Sequence, residues 1–304
     1  MAGDEQGNDL LADLDVFLTE HEAELIEFRR DLHMHPELAF NEHRTTRRVA
    51  LRLAAAGLRP VILPKGTGML VDIGSEQVPY TERPVVALRA DMDALPLMDD
   101  KDVPYRSTVP DVCHACGHDV HTTVLLGAGL FLAEQAAAGQ LPGRVRLVFQ
   151  PAEEAAGGAL DVLAAGGMAS VGRIFALHCD PRLDAGQLGV RSGAITAACD
   201  RIEVRVTGPG GHTARPHLTA DLVYALGKIL TEVPAALSRR VDPRSSLSLV
   251  WGRVSAGSAA NAIPDDGVVE GTIRCLDDTA WHEAPEMVKA LLESVASAYG
   301  VVPE

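Results

Sequence analysis

Residues 85–149 carry the clearest alternation of strand and helix in the sequence. This stretch contains an apolar strand, VVALR (85–89), an Ala- and Leu-rich helical segment, TTVLLGAGLFLAEQAAA (122–138), and a second apolar strand, VRLVF (145–149). Strands that alternate with helices in this way are typical of a parallel sheet covered by helices. Further strands at 69–73 and 174–177 and helices at 10–30 and 45–56 extend the pattern. The sequence therefore predicts an α/β fold with a mostly parallel sheet and helices on both faces.

The pattern changes after Asp180. Alternating apolar and polar residues at 202–207, 246–254 and 267–274 predict half-exposed strands, and the segments 218–237 and 281–298 have helical periodicity. Strands and helices in this order predict a compact α+β unit. We therefore expect two domains, residues 1–194 and residues 195–304.

Charge and composition narrow the class of protein. The chain has 304 residues, 42 of them acidic and 27 basic, and a formal net charge of −15. This balance argues against binding to nucleic acid or to an anionic membrane. No apolar run is long enough to cross a bilayer, the N-terminus is polar and acidic rather than a secretory signal, and five scattered cysteines do not form a disulfide framework. We therefore predict a cytoplasmic protein.

The densest group of reactive side chains is HACGHDVH (114–121), with three histidines, one cysteine and one aspartate. Cys116 and His118 are two residues apart and project to the same side of an extended or turn segment. A thiolate and an imidazole together suit Zn²⁺ or a comparable divalent ion. A lone histidine is more often a hydrogen-bonded core residue, but a cluster this dense favours a metal site.

Titratable side chains directly follow three of the predicted strands. They are Asp91 and Asp93, Glu153 and Glu154, and His178. The carboxyl ends of strands are where α/β folds build their sites. Adjacent carboxylates point in different directions, so one can bind a metal while its neighbour acts as a general base on water. Taken alone, Glu153 and Glu154 fit an acidic helix N-terminus equally well, but the shared position favours a site.

The same segments resemble a known family. The motifs are RDLHMHPE (30–37), RADMDALP (89–96), HACGHDVH (114–121), QPAEE (150–154), GPGGHTARPH (208–217) and NAIP (261–264). They are similar to those of the M20 metallopeptidases, in particular the amidohydrolase branch that holds bacterial aminoacylases, hippurate hydrolases and plant auxin-conjugate hydrolases. The motifs occur in the family's order along nearly the whole chain.

The resemblance implies a site for two divalent metal ions, with Mn²⁺, Zn²⁺ and Co²⁺ as candidates. The implied ligands are Cys116, as a bridging thiolate, His118, Glu154 and His178. Glu153 would be the general base, which takes a proton from the attacking water and returns it to the leaving amine. Asp91 and Asp93 match a segment that supports the ligands rather than binding the metal.

The resemblance also implies that the second domain is an inserted lid and dimerisation domain. His212 would stabilise the oxyanion in the site of a partner subunit, and Asn261 would hold the substrate carboxylate. From the residues alone, the glycine-rich segment 208–211 fits a plain hairpin turn with a histidine beside it, and only the resemblance favours the catalytic role. The implied assembly is a homodimer.

The implied reaction is metal-dependent hydrolysis of the amide bond of N-acyl amino acids or related small conjugates. Two alternatives are a dipeptidase or carboxypeptidase of the same family, and a non-catalytic, dimerising metal-binding module. Family members supply a further histidine ligand from a C-terminal segment that returns to the catalytic domain, and no such motif follows His282. We therefore expect that the sequence is a fragment with an incomplete catalytic domain, and that this chain binds one metal weakly and turns over little substrate.

Overall fold

The computed structural model describes residues 2–74 and 84–304, and the chain divides into two compact units, Met1–Asp184 and Ala185–Glu304. The division lies ahead of the expected boundary between residues 194 and 195. Residues 177–197, which join the last strand of the first unit to the first strand of the second, contain neither helix nor strand. Periodicity therefore gives no signal for a boundary in this segment. That the units act as catalytic and lid domains stays a prediction.

The first unit contains four helices and five strands among its described residues. The helices are α1 (Ala2–Met34), α2 (His43–Ala55), α3 (His118–Ala137) and α4 (Gly158–Ala164). The strands are β1 (Val61–Ile62), β2 (Met69–Ile73), β3 (Val85–Asp91), β4 (Val145–Gln150) and β5 (Val171–Ala176). The predicted helices and strands of this unit are confirmed, and α1 extends beyond both predicted ends.

The sheet of the first unit has the order β1-β2-β4-β3-β5. Strands β3, β4 and β5 pair in parallel, whereas β2 is antiparallel to both β1 and β4. All strands except β2 therefore point in the same direction, as a mostly parallel sheet requires. Asp91 pairs with Gln150, and Arg89 pairs with Ala176. This register brings the carboxyl ends of three strands to one edge of the sheet.

Helices cover both faces of this sheet, and successive side chains of β4 belong to an apolar cluster on one face or the other. Leu147 and Phe149 lie in the core that the sheet forms with α1, α2 and α3. Val148 points to the opposite face and packs with Val162 of α4. All three β4 side chains are buried, so β4 places apolar residues on both faces of the sheet.

The second unit contains two long helices and six strands. The strands are β6 (Ala198–Thr207), β7 (Gly211–His212), β8 (Ser248–Ala256), β9 (Ala262–Ile263), β10 (Asp266–Cys275) and β11 (Val302–Pro303). Strands β11-β6-β10-β8 form an antiparallel sheet, and β7 pairs with β9. Helices α5 (Leu222–Leu237) and α6 (Asp278–Ser297) pack with that sheet in one apolar core. The predicted α+β unit is confirmed.

Side-chain caps fix the starts of both helices in the second unit. Asp221 accepts a hydrogen bond from the N–H of Tyr224 at 3.2 Å, and Asp277 accepts one from the N–H of Ala280 at 2.8 Å. Each bond satisfies a first-turn N–H group that has no partner within its helix. In the described part of the chain, no helix combines the length and the apolar character needed to cross a bilayer.

Candidate metal centre

The centre is built where the carboxyl ends of β3, β4 and β5 meet the N-terminus of α3. Gly117 precedes α3 and has a left-handed φ of 91°. A Cβ atom at this position would lie 3.0 Å from the Sγ atom of Cys179. Glycine therefore allows the turn between Cys116 and His118 to approach the segment that follows β5 and carries His178.

The imidazole of His118 is oriented with one ring nitrogen free. Its Nδ1 atom lies 2.8 Å from the backbone carbonyl of Asp93. A carbonyl only accepts hydrogen bonds, so Nδ1 carries a proton. Burial acts to lower the pKa of this imidazole, but the hydrogen bond to Asp93 and the charge of Asp91 outweigh it and raise the pKa. Nε2 is buried and has no hydrogen-bond partner in the described part of the chain. It lies 3.9 Å from Oε1 of Glu154 and 3.6 Å from Oδ1 of Asp91, so an unpaired nitrogen points at carboxylate oxygens.

His178 is oriented in the same way, at the end of β5. Its Nδ1 atom donates to the carbonyl oxygen of Cys179 at 2.8 Å. Nε2 lies 3.4 Å from the Sγ atom of Cys116. In both imidazoles a backbone carbonyl therefore holds Nδ1, and Nε2 lies beside the other ligand-type side chains, as in metal-binding histidines.

The ligand atoms fall into sets that share His118. The donor atoms of Cys116, His118 and His178 lie within 4.8 Å of one another, and so do those of His118, Glu153 and Glu154. The structure thus brings together all four ligands that the resemblance implies, together with the implied base. A thiol, two imidazoles and carboxylates suit Zn²⁺ and neighbouring divalent transition metals, so the residues fit the expected ions.

His121 had no role in the sequence interpretation, although it lies in the same motif. Its Nδ1 atom lies 2.6 Å from Oδ1 of Asp91, and its Nε2 atom accepts the N–H of Cys179 at 2.8 Å. Arg89 holds the other oxygen of Asp91 at 2.6 Å. With both ring nitrogens engaged, His121 links β3 to the backbone beside His178. The sequence signal for this role is the position of His121 three residues after His118, near the start of the same helix.

Asp93 holds the two glutamates through their backbone. Its carboxylate accepts the N–H of Glu153 and the N–H of Glu154, each at 3.0 Å, and lies 3.2 Å from Nδ1 of His118. Burial acts to raise the pKa of Asp93, but the hydrogen bonds from His118 and the two N–H groups outweigh it and lower the pKa. Asp93 therefore holds the backbone of both glutamates as an ionised acceptor, and its supporting role toward metal ligands stays a prediction.

Carboxylates of the site also shift the pKa values of the Cys116 thiol and the Glu153 carboxyl. Burial and the charge of Glu154 raise the pKa of the Cys116 thiol to about 12, so the thiol is protonated until a cation replaces the proton. Burial and the charges of Glu154 and Asp91 raise the pKa of Glu153. A carboxyl whose pKa is raised toward neutral is a better proton acceptor in catalysis than an ordinary glutamate.

The two remaining predicted site residues lie in the second unit. His212 is exposed, ends β7 and pairs in register with Ala262. The carbonyl of Asn261 accepts the N–H of Thr213 at 3.2 Å. The two residues are therefore neighbours in one two-stranded element, and their roles toward substrate stay predictions.

Thiol, imidazole and carboxylate side chains thus gather where three strand ends of a mostly parallel sheet meet the start of α3, which is the arrangement of a metal-binding protein of the α/β class. The chain belongs to Peptidase family M20/M25/M40, whose sequence pattern matches residues 87–303.

Relatives and a solved structure agree with this family. The chain is 38% identical over 281 residues to an N-acetylcysteine deacetylase of Bacillus subtilis, covering 92% of this chain and 72% of that protein. A dinuclear metal-binding peptidase of the M20 family from Bacillus subtilis superimposes with a TM-score of 0.80 at 35% identity, over 94% of this chain and 73% of that one.

A third relative is much longer than this chain. It is a Rhodococcus jostii protein that carries the name of a glutamate–cysteine ligase, and it is 47% identical over 281 residues. The match covers 92% of this chain but only 34% of that protein, so this chain spans about a third of that relative's length.

Proposed function

We propose that the metal centre of this chain is that of an enzyme that hydrolyses the amide bond of N-acyl amino acids with the help of two divalent metal ions. The observation that carries the proposal is the placement of the Nε2 atoms of His118 and His178 beside the Cys116 thiol and the paired glutamates, with both Nδ1 atoms held by backbone carbonyls. The dinuclear neighbour supports the number of ions, and the relative named for deacetylation of N-acetylcysteine supports the bond type.

Four side chains would hold the ions: Cys116, His118, Glu154 and His178. Bound divalent ions supply a Lewis acid that polarises the scissile carbonyl and lowers the pKa of the attacking water. Mn²⁺, Zn²⁺ and Co²⁺ are the candidates, because thiolate, imidazole and carboxylate ligands accept all of them.

Glu153 would move the proton. Its ionised carboxylate takes a proton from the attacking water, and the resulting acid donates that proton to the departing amine nitrogen. Activity therefore falls at acid pH, since a protonated Glu153 cannot accept the proton of the attacking water.

The second unit would complete the site in a homodimer. His212 would stabilise the oxyanion of a partner subunit's substrate, and Asn261 would bind the substrate carboxylate. The support for these roles is the family membership and the side-by-side placement of both residues on the β7–β9 element. We further propose that the protein is cytoplasmic, and that N-acetyl-L-cysteine is the first substrate to assay because of the relative named for it.

The test compares the two adjacent glutamates. Glu153→Gln removes the base but no ligand, so we expect bound metal to be unchanged and kcat to fall by about 10²- to 10⁴-fold. Glu154→Gln removes a ligand, so we expect at least about tenfold weaker binding of one metal ion. Metal content by elemental analysis and release of acetate from N-acetyl-L-cysteine measure the two effects separately.

Three results would contradict the proposal. Wild-type protein that binds no divalent ion argues against the metal centre. Hydrolysis that survives complete chelation argues against metal dependence. A Glu153→Gln variant that retains the wild-type rate argues against the base assignment alone and leaves the ligand set standing.

A further inference from the structure

Glu42 is a fully buried carboxyl at the start of α2, and α2 does not use it. It occupies the position before the first helical residue, where a side chain commonly accepts a hydrogen bond from an N–H group of the first turn. The Glu42 side chain makes no such bond. The side chain of Glu37 caps the helix instead, because it accepts the N–H groups of Arg44 at 2.9 Å and Thr45 at 2.8 Å. The Glu42 carboxyl is therefore free to act elsewhere.

Glu42 reaches the loop that follows β4. Its Oε1 atom accepts the N–H of Ala152 at 2.7 Å, and both residues are fully buried. Its Oε2 atom is buried without a hydrogen-bond partner in the described part of the chain. Burial raises the pKa of Glu42, and the nearby charge of Asp93 adds to the rise. The N–H groups of Glu42 itself, Ala152 and Phe40 act to lower this pKa but do not outweigh burial.

The residue that Glu42 holds has an unusual backbone. Ala152 has a φ of 47°, in the left-handed region that a residue with a Cβ atom rarely adopts. The next two N–H groups, those of Glu153 and Glu154, point to the carboxylate of Asp93. Three successive N–H groups are thus bound by two buried carboxylates. This arrangement fixes the direction in which both glutamate side chains leave the loop.

We propose that Glu42 is a positioning residue for the metal centre: by binding the N–H of Ala152, it holds the left-handed turn that presents Glu154 as a ligand and Glu153 as a base. The inference rests on the proposed function. Glu42 acts through the backbone of Ala152, as a hydrogen-bond acceptor, and its side chain contacts neither of the implied reacting groups.

The experiment follows Co²⁺ binding by the 304-residue chain through the visible absorption bands of the bound ion. We expect Glu42→Ala to weaken binding by about 10- to 100-fold and to alter the bands, in the range typical of groups that orient metal ligands. Glu42→Gln keeps an acceptor oxygen, so its affinity should stay within about threefold of wild type. The double variant Glu42→Ala/Ala152→Gly should recover much of the loss, because glycine adopts a left-handed φ without a steric penalty.

Glu37→Ala is the matched control. It removes a carboxylate from the same helix start and should lower the melting temperature. It should leave the Co²⁺ bands unchanged because the side chain of Glu37 accepts the N–H groups of Arg44 and Thr45 in α2, and the bond from its backbone carbonyl to the N–H of Ala94 survives the substitution. If Glu42→Ala does not fold, Glu42→Gln and the double variant carry the test.

The outcomes separate this inference from the proposed function. Wild-type bands and affinity in Glu42→Ala, a loss in Glu42→Gln as large as in Glu42→Ala, or no recovery in the double variant would each overturn the role of Glu42 while leaving the metal centre intact. A wild-type chain that binds no Co²⁺ overturns both. A wild-type chain that binds Co²⁺ without hydrolysing N-acyl amino acids overturns the proposed activity. The effect of the Glu42 variants on Co²⁺ binding can still be measured in that case.

Discussion

At the scale of single residues, Asp91 shows how the centre keeps a buried carboxylate ionised. It lies between Arg89, at 2.6 Å, and His121, also at 2.6 Å. Burial alone would raise its pKa, but the hydrogen bond from His121 and the charges of His118 and Arg89 lower the pKa to about 2. The carboxylate is therefore charged throughout the physiological range and fixes the tautomer of His121.

This lowered pKa predicts an acid-dependent loss of stability. An aspartate whose folded-state pKa is depressed stabilises the fold above its ordinary pKa of 3.8, and this stabilisation is lost as the pH falls toward about 2. For metal-free protein, we expect the wild type to lose about 1 kcal/mol more than Asp91→Asn between pH 5 and pH 3. Urea unfolding at several pH values measures the difference. Equal pH slopes for the two proteins would contradict the pairing of Asp91.

At the scale of elements, the start of α3 is the feature on which the centre depends. The helix begins at His118, directly after the left-handed Gly117, and Thr122 of its second turn donates to the backbone carbonyl of Asp91 at 2.8 Å. His121, on the same turn, accepts the N–H of Cys179. The helix start is thus bonded to the end of β3 and to the segment after β5, which holds ligands from separate elements together.

Replacement of Gly117 tests this dependence. Gly117→Ala places a Cβ atom 3.0 Å from Cys179 Sγ at a φ of 91°, so we expect at least about tenfold weaker metal binding in addition to the backbone penalty of about 1–2 kcal/mol. Gly139→Ala is the matched control, because Gly139 follows the same helix with a φ of 73° and nothing within 4 Å of its Cβ position. It should lose stability but keep the wild-type metal affinity. Equal affinity in the two variants would refute the expectation.

At the scale of the whole molecule, the two units have separate apolar cores. One core joins α5 and α6 to the antiparallel sheet, and it contains only residues of Ala185–Glu304. The other clusters lie entirely within the first unit. Among the described residues, every cluster of His, Cys, Asp or Glu side chains that could hold a metal ion also lies in the first unit. Metal binding should therefore stabilise only one of the two cores.

Scanning calorimetry with and without chelator tests this expectation. We expect two unfolding transitions, of which only one moves when metal is removed. At a free metal concentration 100 times the Kd, bound metal adds about 2.7 kcal/mol, so the metal-dependent transition should shift by several degrees. Limited proteolysis between the two transitions, followed by mass spectrometry of the fragments, assigns each transition to a unit. A shift of both transitions by the same amount would show that the units unfold together.

Much of the fold and the composition of the centre could be predicted from the sequence. Apolar strands such as 145–149 and the helical segment 122–138 carry their periodicity in the side chains themselves, so local pattern and secondary structure agree. Reactive side chains at the ends of three strands had to meet, because parallel strands place their carboxyl ends at one edge. The motifs alone also identify the family.

The tertiary structure alone decided how these side chains are held. Glu42 is 110 residues away from Ala152 along the chain, and no local pattern reveals that one residue binds the other. The same is true of His121, whose two ring nitrogens are engaged by β3 and by the segment after β5. Local sequence determines which elements form and which reactive groups they carry. Tautomers, backbone strain and the pairing of buried charges depend on contacts between distant segments, and these contacts exist only in the folded chain.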